Sequence, residues 1–161
     1  MTLDSALKAV ANQEAELVFE RFDEKIALGL GLEALALAES RGHAIWVNIS
    51  RGDHTLFEHS MTGTSPANAD FGSRKKSVVN LMHFSSVNFF IHKQNGFNFV
   101  DFMNLDSRVY GTYGGSFPIR VEGAGVIGSF TISGLSDLDD HNLVVEVLNA
   151  HLGRAAALLS L

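Results

Sequence analysis

The sequence predicts an α/β fold of the α+β kind, in which helices pack on an antiparallel sheet. Three observations predict it. Two pairs of β-prone segments, 44–50 with 54–60 and 117–122 with 125–133, are each joined by a short glycine-containing turn, so each reads as a hairpin. Helical patterns lie before, between and after the hairpins. No linker, repeat or low-complexity run interrupts the 161 residues, so the chain reads as a single domain, 1–161.

Each element has a local reason. Residues 5–20 carry a helix-like pattern. Asp23 caps a second helix running to about Arg41, and Gly42 stops it. Its apolar residues Ile26, Leu30, Ala34 and Leu37 form one stripe, which Leu28, Leu32 and Leu35 widen. Gly29 and Gly31 cost helix stability and make sense where another element packs against the backbone. Ala44 to Ser50 is a strand, Arg51-Gly52-Asp53 its turn, and His54 to Ser60 the returning strand. Ser65-Pro66 pairs an N-cap with proline at the first helical position, opening a helix to about Leu81. Ser85-Ser86 caps a shorter helix to about Lys93. The stretch 97–116 is mixed, and Gly-rich toward its end. Gly123-Ala124 turns the second hairpin. Ser136 and Asp139 form a capping box for a last helix over 137–160.

Composition narrows the function classes. Hydrophobic residues make up 46% and charged residues 19%, against roughly 25% charged in an average protein, so disorder is excluded. Mean hydropathy is +0.13, more apolar than one small domain needs, which points to a homo-oligomer. There is no cysteine, which removes disulfides, thiolate metal sites and thiol nucleophiles. A net charge of −6 argues against nucleic-acid binding by phosphate neutralisation. The one basic cluster, Arg74-Lys75-Lys76, reads as a solvated helix face. No basic segment leads into an apolar core near Met1, and the longest apolar stretch, Ile26 to Ala38, is broken by Glu33 and too short to span a bilayer. The chain therefore reads as cytoplasmic, with no membrane partner.

Several motifs carry chemical readings. Gly123-x-Gly125-x-x-Gly128 matches a dinucleotide fingerprint, but it leads into the β-prone FTIS segment instead of a helix and fits a hairpin turn. The seven histidines show no metal-binding spacing, and His54 and His59, five apart on one strand, should point to opposite faces, so no metal site is expected. Ser85 and Ser86 near His83 have no nucleophile elbow around them. Asp139 and Asp140 suit a helix N-terminus. His141 beside them does not, and reads as a contact to a ligand or a neighbouring subunit. Gly114-Gly115-Ser116-Phe117-Pro118 lets backbone N–H groups line a concavity, or a second subunit approach.

Taken in order, these pieces resemble a known family. They are Ile45 to Ser50 with Arg51-Gly52, then Leu56-Phe57, Gly63-Thr64-Ser65-Pro66-x-Asn68, Arg74-Lys75 and Ser85-Ser86. Gly114 to Ile119, Gly125 to Gly128, Ser133-Gly134-Leu135 and Asp140-His141 complete the series. The string resembles the UPF-class branch of the GlcG-like, haem-degrading-domain family over roughly residues 8–155. Phe71, after Asp70, stands where the family pattern has Trp. The resemblance implies a profilin-like fold of about five antiparallel strands flanked by helices, and a homo-oligomer that is a dimer or a larger assembly of dimers. It also implies a small ligand, haem or another planar anion; the family name is not itself an activity.

Motifs and resemblance together nominate ligand-binding residues in two groups. Lys75, Ser85 and Ser86 come from the middle of the chain, with Lys75 a partner for a propionate or other carboxylate. Gly114, Gly115, Phe117, Pro118 and His141 come from its last third. A haem pocket also needs an axial ligand and an apolar wall. Two alternatives stand beside ligand binding. One is a non-enzymatic oligomeric scaffold or adaptor for protein partners. The other is an enzyme acting on a small carboxylate or tetrapyrrole with His141 as its acid–base group.

Overall fold

The computed structural model describes residues 2–160. The helices are α1 (Leu3–Glu16), α2 (Glu24–Ser40), α3 (Pro66–Met82), α4 (Ser86–Gln94), a single turn α5 (Phe99–Phe102) and α6 (Asp137–Leu152). The strands are β1 (Val18–Phe19), β2 (Trp46–Arg51), β3 (His54–Ser60), β4 (Ser116–Val121) and β5 (Gly125–Ser133). They form one five-stranded sheet in the order β1-β4-β5-β2-β3. Both expected hairpins are present, and every pairing is antiparallel except β1 with β4.

The helix starts follow from their caps. Asp23 Oδ1 accepts the Ile26 N–H at 2.8 Å, and Ser136 Oγ accepts the Asp139 N–H at 3.2 Å. Asn68 Oδ1 accepts the Ser65 N–H at 2.8 Å, closing the start of α3 around Pro66. Ser85 occupies the N-cap position of α4, but its hydroxyl makes no capping bond.

The two faces of the sheet differ in chemistry. Alternate residues of a strand face opposite ways. Val47, Ile49, Phe117, Ile119, Phe130 and Ile132 form one face, buried against Leu30 and Ala34 of α2 and Val144 and Leu148 of α6. The opposite face carries Asn48, Ser50, Ser116, Ser129, Thr131 and Ser133, all buried. These polar groups largely bond one another: Ser50 Oγ donates to Asn48 Oδ1 at 2.6 Å, and the Ser116 and Thr131 hydroxyls lie 2.7 Å apart.

Helix α3 covers this polar face, which overturns the reading of Arg74-Lys75-Lys76 as a solvated surface. Lys75 is 3% exposed. Lys76 Nζ donates to Ser50 Oγ at 3.1 Å. The sheet offers hydroxyls and a carbonyl where a core would offer methyls, so ammonium groups are accepted beneath the helix. Gly72 lies directly on the Trp46 ring, and a Cβ there would overlap it.

Three other expectations are corrected. The first helix stops at Glu16, and Val18–Phe19 leaves it to pair with Arg120 and Val121. The last helix ends at Leu152 with Gly153 left-handed, well short of residue 160. The segment beyond folds back: Asn149 brackets Ala156 and Asn142 brackets Leu159, each donating and accepting one backbone bond. Finally, a bulge opposite Ile49/Ser50 resets the alternation of β3. His54 pairs with Arg51 and His59 with Val47, so the two histidines share a face. Four strand positions apart is about 13 Å, too far to share an ion.

Gly72→Ala is the sharpest test of the α3 contact. Alanine gains about 1 kcal/mol of helix propensity, but overpacking costs about 1–3 kcal/mol. The expected outcome is a lower urea midpoint and a red shift in the emission of Trp46, the only tryptophan.

Candidate functional site

A cavity of about 400 Å³ opens where the C-terminal end of β5, the N-terminus of α6 and the flank of α3 meet. Phe71 and Tyr113 supply aromatic walls, and Asn68, Ser133 and Ser136 supply hydrogen-bonding groups. Its floor is an ion pair. Lys75 Nζ lies 2.7 Å from Asp140 Oδ2 and 3.3 Å from the Ile132 carbonyl. Both side chains are almost fully buried, at 4% and 1% exposure. Asp140 also accepts the Leu135 N–H at 2.9 Å and the Gly134 N–H at 3.3 Å. Burial pushes the Asp140 carboxyl above its usual range, and Lys75 with the two N–H groups pulls it back. Asp137 is likewise raised by burial, against the pull of Lys75, the Gly114 N–H and Lys93.

The Gly114-Gly115 segment closes the back of this site. The Gly114 N–H donates to Asp137 Oδ1 at 2.9 Å. Gly115 has φ +122° and presses on the Ile132 carbonyl and on Asp140, so a side chain there would displace the ion pair.

Beside the cavity lies a smaller hollow of about 190 Å³, lined by Arg74, Lys93, Asn98 and Ser107 among others. Tyr113 lines both spaces. The Arg74 guanidinium sits 4.5 Å from the Phe71 ring centre and 5.3 Å from that of Tyr113, and Lys93 Nζ sits 5.3 Å from Tyr113. Two cations thus flank an aromatic partition.

The nominated residues separate into two places. Lys75, Gly114 and Gly115 meet at the cavity. Ser85, Ser86, Phe117 and His141 lie in the interior behind it. Ser86 Oγ accepts the Ser116 N–H at 2.9 Å, and the Ser85 N–H donates to the buried Glu14 carboxylate at 2.6 Å. Pro118 is buried on β4. His141 is fully buried, with Nε2 2.8 Å from Gln13 Oε1 and no partner for Nδ1. Burial alone holds its pKa down to about 3, so it is neutral and does not face the cavity. A ring one residue beyond Asp140 on a helix points about 100° away. Tyr113, Asp137, Asp140 and Lys93 were not nominated. Asp140 lies in the Asp140-His141 motif, but its meeting with Lys75, 65 residues away in the chain, is a tertiary contact that no local signal announces.

Comparison with known proteins places this arrangement. The family model described as "Haem degrading protein HbpS-like" matches residues 22–149. The chain belongs to the HbpS-like family. Within it, the chain is similar to UPF0303 proteins: one from Burkholderia cenocepacia is 43% identical over 164 aligned residues, covering 100% of this chain and 98% of that protein. Among solved structures, the Ybr137w protein matches with a TM-score of 0.82 at 24% identity, over 91% of this chain and 87% of its own. The PduOC:heme complex matches with a TM-score of 0.67 at 18% identity, over 86% and 99%. Both likenesses are of fold. The five-stranded, helix-flanked sheet is the architecture the family resemblance implies.

Two measurements check the site's electrostatics. Lys75→Met leaves Asp140 buried without its cation and should cost about 3–5 kcal/mol in urea unfolding, while Lys75→Met with Asp140→Leu should recover much of that loss. His141 titrates near 6.5 when unfolded and near 3 when folded. Between those values the unfolded chain binds the extra proton, so stability falls as pH drops from about 6.5 toward 3. At pH 5 the loss from this group should be about 2 kcal/mol, and His141→Gln should flatten that part of the profile.

Proposed function

We propose that the protein binds a small planar ligand with acidic groups, haem first among that class, in the cavity above Lys75 and Asp140. It does so as a cytoplasmic homo-oligomer. The observation that carries the reading is the pairing of a cavity with aromatic walls and a cationic hollow across one tyrosine ring. The plane would rest against Phe71. Acidic groups would meet Lys93, and Arg74 beside its partner Asp70, in a chain whose net charge is −6. The family description and the haem complex of a structural relative support haem as the ligand.

The side chains lining the cavity offer haem one iron donor. Haem iron is held in proteins by His, Cys, Met or Tyr. Of these, Tyr113 alone lines the cavity. His141 is excluded by its burial and its bond to Gln13. Tyr113 would therefore hold the iron, Phe71 would cover the ring, and Arg74 and Lys93 would take the propionates. Bound haem would supply an iron centre capable of electron transfer and oxygen chemistry. Lys75 contributes a fixed N–H donor at the floor, and Asp140 keeps it aimed.

Titration of haemin and of iron-free protoporphyrin separates the parts of this reading. Haemin should give a saturable Soret shift at micromolar protein, with quenching of Trp46. Tyr113→Phe should weaken haemin at least tenfold and leave protoporphyrin nearly unchanged. Lys93→Ala should weaken both. Absence of any saturable Soret shift would remove haem from the reading.

A further inference from the structure

Helix α2 presents two faces. Ala27, Leu30, Ala34 and Ala38 are sealed in the core. The opposite side exposes Lys25, Leu28, Gly29, Leu32, Ala36 and Glu39. Leu28 is 49% and Leu32 54% exposed, in a row with no covering element. Scattered surface leucines need no explanation, but a row on one helix face does.

The row is symmetric in position and complementary in chemistry. Leu32 stands at its centre. Leu28 lies four residues before it and Ala36 four after; Lys25 lies seven before and Glu39 seven after. These spacings put all five on one side of an α-helix. Two copies of the helix laid antiparallel about a two-fold axis at Leu32 place Leu32 against Leu32. Each Leu28 comes level with the small Ala36 of the other copy. Each Lys25 comes level with the other copy's Glu39, giving two ion pairs from one match. Neither charge has an ion partner in its own chain among the described residues.

Gly29 supplies an independent observation. A glycine inside a helix costs about 1 kcal/mol against alanine. At Gly31 the reason is visible, since the Phe57 ring occupies the space of its side chain. At Gly29 nothing in the chain lies within 4 Å of where a Cβ would stand. A second backbone approaching the row supplies the missing reason.

We propose that the exposed face of α2 is an isologous interface with a second copy of this chain, antiparallel about Leu32. The proposal rests on the homo-oligomer reading above and specifies its contact. A two-fold contact of this kind buries the same patch on both partners and closes on itself.

The chain has no cysteine, so a single introduced one reports the axis directly. Leu32→Cys should form a disulfide-linked dimer on mild oxidation, while Asp53→Cys, in the exposed β2–β3 turn, should not. Light scattering should show an even-numbered assembly that Leu32→Glu reduces to half its mass or less. Lys25→Glu sets like charges level at both ends and should weaken association roughly tenfold at low salt. Lys25→Glu with Glu39→Lys should restore it, which a merely misfolded variant would not do. An assembly that persists unchanged in Leu32→Glu, with no Leu32→Cys crosslink, overturns this contact and leaves the oligomer reading standing. A wild-type monomer across a wide concentration range overturns both.

Discussion

The buried pair of Lys75 and Asp140 is the constraint around which the rest of the site is arranged. It joins α3 to α6 across the end of β5, and the Gly134 and Leu135 N–H groups complete the acceptor side. Such a pair is not a large source of stability, because desolvating two charges offsets most of their attraction. Its effect is on uniqueness. With one partner on each helix, only one relative placement leaves neither charge alone, and that placement is the one that shapes the cavity. The chain shape behind the pair obeys the same constraint, since no residue larger than glycine fits at position 115.

The neighbouring residues Asp140 and His141 show how one helix serves two interiors. Asp140 looks toward the cavity, and His141 looks away from it into the contact with α1. Burial pushes the first carboxyl upward, and a cation and two N–H donors oppose that push. The second stays neutral because it is fully buried and its one hydrogen-bond partner is an uncharged amide. Their adjacency in sequence makes them look like one acidic-and-basic site; the helical turn between them makes them two environments with opposite electrostatics.

What was legible in the sequence follows the range of the interactions involved. The caps at Asp23, Ser65 and Ser136 and the turn at Gly123-Ala124 act within a few residues, and the structure keeps them. Strand β1 was missed because two residues carry no periodicity, and its partner Arg120–Val121 lies a hundred residues on. The end of α6 was misplaced because Ala155 and Leu159 continue the apolar stripe of Val144, Leu148 and Leu152, while Ala156 and Leu159 are buried on a returning segment instead. The burial of Lys75 was illegible for a related reason. A basic triplet on a helix normally faces water, and nothing local announces that β2, β4 and β5 turn a row of hydroxyls toward it. The glycines at 114 and 115 were legible as a place of close approach, but what approaches, Asp137 and Asp140, is set by tertiary structure.

The polar face of the sheet has a thermodynamic consequence for α3. Most helices are held by apolar area, so releasing them exposes surface that raises heat capacity and responds to urea. On the sheet side, α3 instead rests on hydroxyls, a carbonyl and a glycine–tryptophan contact. Lifting it exchanges hydrogen bonds to the sheet for hydrogen bonds to water and parts Lys75 from Asp140, whereas the hydrocarbon it uncovers lies on its other side, where Val78 and Val79 pack on Phe89. The denaturant response of this helix is therefore set by its contact with α4 more than by its contact with the sheet. The wall of the cavity thus meets the sheet chiefly through polar groups, and the main apolar core lies on the opposite face, insulated from changes at that wall.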